Sequence, residues 1–414
     1  MPHKLATADC FATGCTQWYT LFNQPSAQCR DGKTYIVYPG ANLDPLVVCY
    51  DHAGRRWSGP VRAGENPLVN DDHGNPSMLI DAAGFIHVFY GCHAGPMKYA
   101  KSAKPLDISS FTKMPDPAAK ATYPQVMQMS DGTMCLFYRA GAHCDDWVLR
   151  TSADGGANWG EAQALIKGVP PQDAWYAGFA KGPGDTVHAG FVWKDDNNAL
   201  RSPGPEYVHR YDLYYMRRDA RGLWRNASGE ELKLPVAKAA ARAKCRVYDS
   251  IANKQHTGGC SVGVDGSGEV HLLFRVGGYF GDTRYEHKLA TWSGREWEFV
   301  NIGPAIDCGF ADYPRDDNFS LQVEPKLLRA YVANILADTP ATANLEQWES
   351  ADAGRTWTKA KTIFTSSDIP PRYVLIAPKP VLDHHPDAAV VFGATNRCLY
   401  GQGGFVPASQ PSRP

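Results

Sequence analysis

The chain has 414 residues, 43% of them hydrophobic, and a formal net charge of -1. That length and apolar content support a large core, while near-neutral charge lacks the basic stripe that nucleic-acid binding requires. No apolar run reaches the length of a membrane span, so neither a nucleic acid nor a membrane is expected as a partner.

The stretch MPHKLATADCFATGC at the start has no apolar core of the kind a signal peptide carries. A cytoplasmic protein and a mature exported form both stay open. Eleven cysteines is an odd number and none forms a CxxC pair, which removes zinc-ribbon and dithiol redox chemistry. A disulfide among Cys10, Cys15 and Cys29 and buried free thiols are both compatible with the spacing.

In chain order, the sequence is a series of short apolar runs rich in Val, Phe and Tyr, broken by Gly, Asp and Asn. This is the pattern of an all-β fold. TYIVYPGANLDPLVVCYDH (34–52), SMLIDAAGFIHVFYG (77–91) and YPQVMQMSDGTMCLFYRAG (123–141) each predict strand, turn, strand. AGFAKGPGDTVHAGFVWK (177–194) repeats the plan before the one helical stretch, ELKLPVAKAAARAK (231–244). CSVGVDGSGEVHLLFRVGG (260–278), SLQVEPKLLRAYVANI (320–335) and LIAPKPVLDHHPDAAVVFGA (375–394) complete about seven units, spaced like the blades of a propeller.

Two octets, SADGGANW (152–159) and SADAGRTW (350–357), fit S-x-D-x-G-x-x-W, and TWSGREW (291–297) is a degenerate relative. In this Asp-box turn, Ser and Asp side chains bond the turn backbone and Trp packs between strands. Asp154 and Asp352 are therefore structural. The expected architecture is a single domain over 1–414, a seven-bladed β-propeller with Asp-box turns and blades spanning roughly 33–404.

Residues equally distant from a hairpin turn emerge together at its open end. His73 and His93 lie about equally far from the turn at Ala82-Ala83, and Tyr123 and Arg139 are nearly symmetric about Asp131-Gly132. Adjacent blades align such ends around a central pocket, so the four side chains are expected to converge. Singly, each has a structural alternative: histidines beside Gly and Pro in turns, Tyr before Pro as an anchor, Arg closing a strand as a surface charge. Four such side chains at matched ends of consecutive hairpins exceed what packing asks. His87 and His271, inside apolar runs, read as structural, and the adjacent His143-Cys144 pair lacks the partners of a metal site.

No pair of carboxylates stands out as a glycosidase would need. Elimination at a uronic acid asks for other parts: a cation to neutralise the sugar carboxylate, a base for the C5 proton and an acid for the departing O4. Arg139 suits the first through bidentate pairing, and imidazole and phenol can divide the others.

With His-x19-His followed by Tyr-x15-Arg, and with its Asp boxes, the chain resembles the BNR-repeat polysaccharide lyases, which include ulvan lyases and rhamnose–glucuronate lyases acting on gum-arabic-type glycans. The resemblance implies cleavage of a rhamnose-α-1,4-glucuronate linkage, with His73, His93 and Tyr123 as acid and base and Arg139 on the carboxylate. It leaves open which histidine takes the proton. It further implies substrate contacts from YVHRYDLYYM, namely Tyr207, His209 and above all Arg210, a structural calcium in the central channel, no cofactor for the chemistry and a uronate-containing polysaccharide as partner. A monomer is expected, and the substrate class favours a secreted or periplasmic location. A similar propeller family contains α-L-rhamnosidases acting through a histidine on the opposite face, where His52 could stand. A glycan-binding propeller without catalysis is the third reading. The arginine triad and Arg-Ile-Pro motif of a sialidase are not evident.

Overall fold

Short β-branched and aromatic runs form antiparallel strands here because Gly and Asp at their ends supply the turns. The computed structural model describes residues 8–13, 22–68, 71–202, 204, 209–279, 282–307, 319–336, 342–366, 376–394 and 397–401. The strands form five sheets. Three are meanders of four strands, with a short extra strand on two of them. They begin with Asp173–Lys181, Gln255–Val264 and Phe319–Glu324.

The other two sheets hold eight strands each, and each divides into two meanders joined along an edge. One unites the meanders beginning at Ser77–Ile80 and Ala118–Gln128. The other unites Ala27–Arg30 through Arg56–Arg62 with Ile376–His385 through Arg397–Gly401. The strand Ala8–Thr13 pairs antiparallel with Arg397–Gly401 and completes that last meander.

First strands touch in succession. Ala27–Arg30 meets Ser77–Ile80, which meets Ala118–Gln128, and the chain of contacts runs on through Asp173–Lys181, Gln255–Val264 and Phe319–Glu324 to Ile376–His385. That strand returns to Ala27–Arg30. The result is a closed, propeller-like all-β ring. Side chains on the first strands satisfy backbone groups of the next unit, as buried N–H and C=O groups require. Ile80 N donates to Gln28 Oε1 at 3.0 Å, Phe179 N to Gln125 Oε1 at 2.9 Å and Leu321 N to Ser261 Oγ at 2.9 Å.

The structure shifts two expectations. The copy at 34–52 holds the second and third strands of its unit (Lys33–Pro39 and Pro45–Asp51), not the first and second, because the first strand is Ala27–Arg30. The helix expected over 231–244 shrinks to one turn, Lys238–Ala240, running into a wider turn at Ala241–Cys245. Upstream, Glu231 bridges Arg225 and Val236 bridges Ile166, and Pro235 has no N–H to give a helix. Helix propensity loses there to strand pairing.

Both octets form turns closed by their own side chains. Gly156 N donates to Ser152 Oγ and Asn158 N to Asp154 Oδ1, each at 2.9 Å. Gly354 N and Thr356 N make the same bonds to Ser350 Oγ and Asp352 Oδ1. Trp159 packs edge-on against Phe89 and Tyr99 of the neighbouring meander. The seven cysteines described, Cys29 among them, are free and buried; the side chains of Cys10 and Cys15 lie outside the described residues.

His87 is structural, as expected, bonding Tyr99 Oη at 2.6 Å and Asp81 Oδ2 at 3.0 Å. His271 Nδ1 lies 3.2 Å from Thr291 Oγ1. Burial first, then a neighbouring cation, pushes His188 down to about 4 beside Arg217 and His287 to about 3 beside Arg275. Burial and then His209 push His256 to about 4. Above the ordinary histidine value neither state carries these protons. As pH falls below about 6.5 the unfolded chain takes them up and the folded chain refuses them. Stability therefore falls from pH 6.5 toward 4, by about 1.4 kcal/mol per unit per histidine. Melting curves at pH 7, 5.5 and 4.5 should show a steadily dropping midpoint, and a midpoint unchanged at 5.5 and 4.5 contradicts this account.

Candidate active site

One rung of the eight-stranded sheet begins the site. Thr122 pairs with His93 on one side and with Arg139 on the other, so three adjacent strands present these residues in a row. Thr122 Oγ1 accepts from Ala94 N at 3.0 Å and donates to Gly141 O at 2.8 Å, locking the row. Tyr123 follows at a bulge, where Thr122-to-Gln125 spans the same length as Arg139-to-Phe137. Its φ of +62° is a left-handed conformation costing a non-glycine residue about 1–3 kcal/mol. The bulge places the ring of Tyr123 in the cluster with Phe22, Trp147 and Tyr176.

His73 sits in a short 3-10 turn, Asp72–Gly74, capped by Asp71, whose Oδ1 accepts from His73 N at 3.1 Å. His73 and His93 stack with ring centroids 3.9 Å apart and planes 12° from parallel. His73 lies 5.8 Å from the Tyr123 ring. Burial first, then His93, hold His73 down at about 4, with Asp71 pulling the other way and Arg139 adding to the depression. It is neutral at ordinary pH.

Arg139 is fully buried. Its Cζ lies 4.9 Å from the Tyr123 ring centroid and 5.5 Å from that of Tyr176. Nε, Nη1 and Nη2 have no hydrogen-bond partner among the described residues. Arg210, across the meander boundary, places its Cζ 4.1 Å from the Tyr176 ring centroid. Burial pushes the Tyr176 phenol up, but Arg210, Arg139 and Lys194 outweigh it and leave its pKa lowered.

The four expected residues thus converge, and Arg210 joins them through Tyr176. His209 faces a neighbouring cluster, 6.2 Å from His256, with both ring nitrogens buried and without partners among the described residues. Tyr207 lies outside the described residues. Sequence reasoning missed two members. Asp71 is an ordinary acid in DDHGNP, and Tyr176 sits mid-strand in DAWYAGF, where it reads as core. His143 and Cys144 both contact Asp196.

His52 lies at the other end of the blades. It follows a third strand, Pro45–Asp51, and in an up-and-down meander the end of the third strand opposes the start of the first. There it stacks on His385 at 3.8 Å and bonds Thr34. Among the described residues two groups bring three ligand-type atoms within 4.8 Å, His52-His385-Asp387 and Asp71-His73-His93. In both the imidazoles stack face to face, so their in-plane lone pairs do not converge on a point. Neither offers the oxygen cage that calcium takes.

The row of cation, phenol and paired imidazoles can bind an acidic sugar and move protons at its ring. The chain is 29% identical over 409 residues to an ulvan lyase of Nonlabens ulvanivorans, covering 90% of this chain and 82% of that one. It superimposes on a polysaccharide lyase PL25 ulvan lyase with a TM-score of 0.80 at 27% identity, over 95% of each chain. The structure of a PL25 ulvan lyase bound to -[GlcA(1-4)Rha3S]- matches with a TM-score of 0.79 at 26% identity, again over 95% of each. The sequence model of the BNR repeat-containing family matches residues 33–303, the span that builds the ring from its first hairpin through the meander of Gln255–Val264 and carries all four converging residues. The chain belongs to the BNR repeat-containing family.

Proposed function

We propose that the protein is a polysaccharide lyase that cuts the rhamnose–glucuronate linkage of ulvan by β-elimination. The observation that carries this reading is Arg139: a fully buried guanidinium whose donors have no partner among the described residues is costly until an anion arrives. A uronate carboxylate matches its fork. Neutralising that carboxylate acidifies the C5–H bond. His73, unprotonated, takes the C5 proton; the C4=C5 double bond forms as the C4–O4 bond breaks, and Tyr123 protonates the departing O4. His93 supports His73, and Arg210, His209 and Tyr207 contact the glycan. A calcium in the channel is a scaffold ion in this reading and takes no part in the elimination.

The names of the relatives support ulvan over gum-arabic-type glycans and support elimination over hydrolysis through His52. Seven first strands follow one another around the ring, which supports a seven-bladed propeller with the two octets as its Asp boxes. Incubation with ulvan should produce rising ultraviolet absorbance from the unsaturated uronate. Free rhamnose without absorbance would assign hydrolysis instead, and no product at all a binding module.

A further inference from the structure

We infer that Asp71 is a positioning residue for the acid–base pair, one carboxylate that fixes the tautomer of both histidines and balances the single proton they share. This rests on the lyase reading above. Asp71 Oδ1 lies 2.6 Å from His73 Nδ1, and Oδ2 lies 2.5 Å from His93 Nδ1. A carboxylate only accepts, so both imidazoles must donate from Nδ1. Burial pushes Asp71 up, but the hydrogen bonds from His93 and His73 outweigh it, and the group stays ionised. The Nε2 edges of both rings are then turned away from the carboxylate.

The charges that face this pair limit what it can hold. Two imidazolium rings stacked 3.9 Å apart repel, and Arg139 already acts on His73. One carboxylate offsets one added proton. When His73 takes the C5 proton, the Asp71–His73–His93 unit passes from net negative to neutral, and no second cation builds up beside Arg139. Without the carboxylate, the same transfer creates an unpaired imidazolium next to a buried guanidinium, and the base weakens. Among the described residues the hydroxyl of Tyr123 is a further titratable neighbour, and it carries no positive charge to the cluster.

Asp71→Asn is the informative variant, because asparagine still accepts from His73 N and keeps the 3-10 cap while losing the charge and one acceptor. On ulvan, kcat should fall about 100-fold with KM within about 3-fold, and the acid limb of the kcat profile should move at least one pH unit lower. Asp71→Glu, which keeps the charge, should return the limb toward the wild-type position. A kcat loss with the limb unmoved, or no loss, overturns the proposal. A second readout needs no substrate: in nitrogen NMR of histidine-labelled protein, wild type should hold both rings in the Nδ1–H tautomer, and Asp71→Asn should lose that population. Unchanged tautomers overturn the positioning role even if the wild type is an active lyase. A tautomer change in a protein that forms no unsaturated uronate sustains the role of Asp71 and sinks the lyase reading instead.

Discussion

Replacing Arg139 by methionine is expected to abolish turnover and raise the melting temperature together. Removing one preorganised charge-stabilising donor costs about 2.7–4 kcal/mol of transition-state stabilisation, and Arg139 supplies the whole cation. Turnover of ulvan should therefore drop at least about 1,000-fold. Stability should move the other way. The faces of Tyr123 and Tyr176 return about 1–2 kcal/mol to the guanidinium, less than the several kcal/mol that burying an unpaired charge costs. Methionine fills similar volume without that charge, so a rise of about 2 °C or more is expected. Arg139→Lys keeps the charge but not the fork and should fall between. Retained turnover in the methionine variant would remove Arg139 from the carboxylate site, and a lowered midpoint would mean that its charge is compensated in the resting protein.

Tyr123→Phe is the second large effect. It removes only the hydroxyl; the ring keeps its packing on Phe22, Trp147 and the Arg139 guanidinium. Binding should survive, with KM little changed, while kcat falls by about 100- to 10,000-fold. The bulge stays, since its strain belongs to the backbone, so the melting midpoint should shift little. A phenylalanine variant with more than about a tenth of wild-type kcat would take the proton transfer away from Tyr123. A KM rise at constant kcat would make the hydroxyl a binding group only.

The core of this site is legible in the sequence because hairpin symmetry is a distance rule written in residue counts. His73 and His93 around Ala82-Ala83, and Tyr123 and Arg139 around Asp131-Gly132, needed nothing more than counting. What escaped needed three dimensions. Asp71 acts through atoms 2.5–2.6 Å from two rings, one of them 22 residues away, and no local pattern separates it from the acid beside it. Tyr176 occupies a buried strand position like any core aromatic, and only the two guanidiniums on its faces distinguish it. The short first strand, AQCR, has too few residues to show alternation, so the sequence pattern of the first unit begins only at its second strand. In ELKLPVAKAAARAK the alanine-rich half keeps its helical turns, while bridges at Glu231 and Val236 and the proline between them hold the first half extended.

Where the sheets are continuous and where they are not has a mechanical consequence. His93, Thr122 and Arg139 lie on one hydrogen-bonded rung, and the meanders carrying His73, His93, Tyr123 and Arg139 share a single sheet. Small rocking of blades against each other leaves their spacing unchanged. Tyr176 and Arg210 belong to the next sheet, tied on by Gln125 and by stacked rings such as Phe137 on Phe179. That seam is the softer spring. A bulky ligand can be accommodated by yielding there, while His73, His93, Tyr123 and Arg139 keep their alignment.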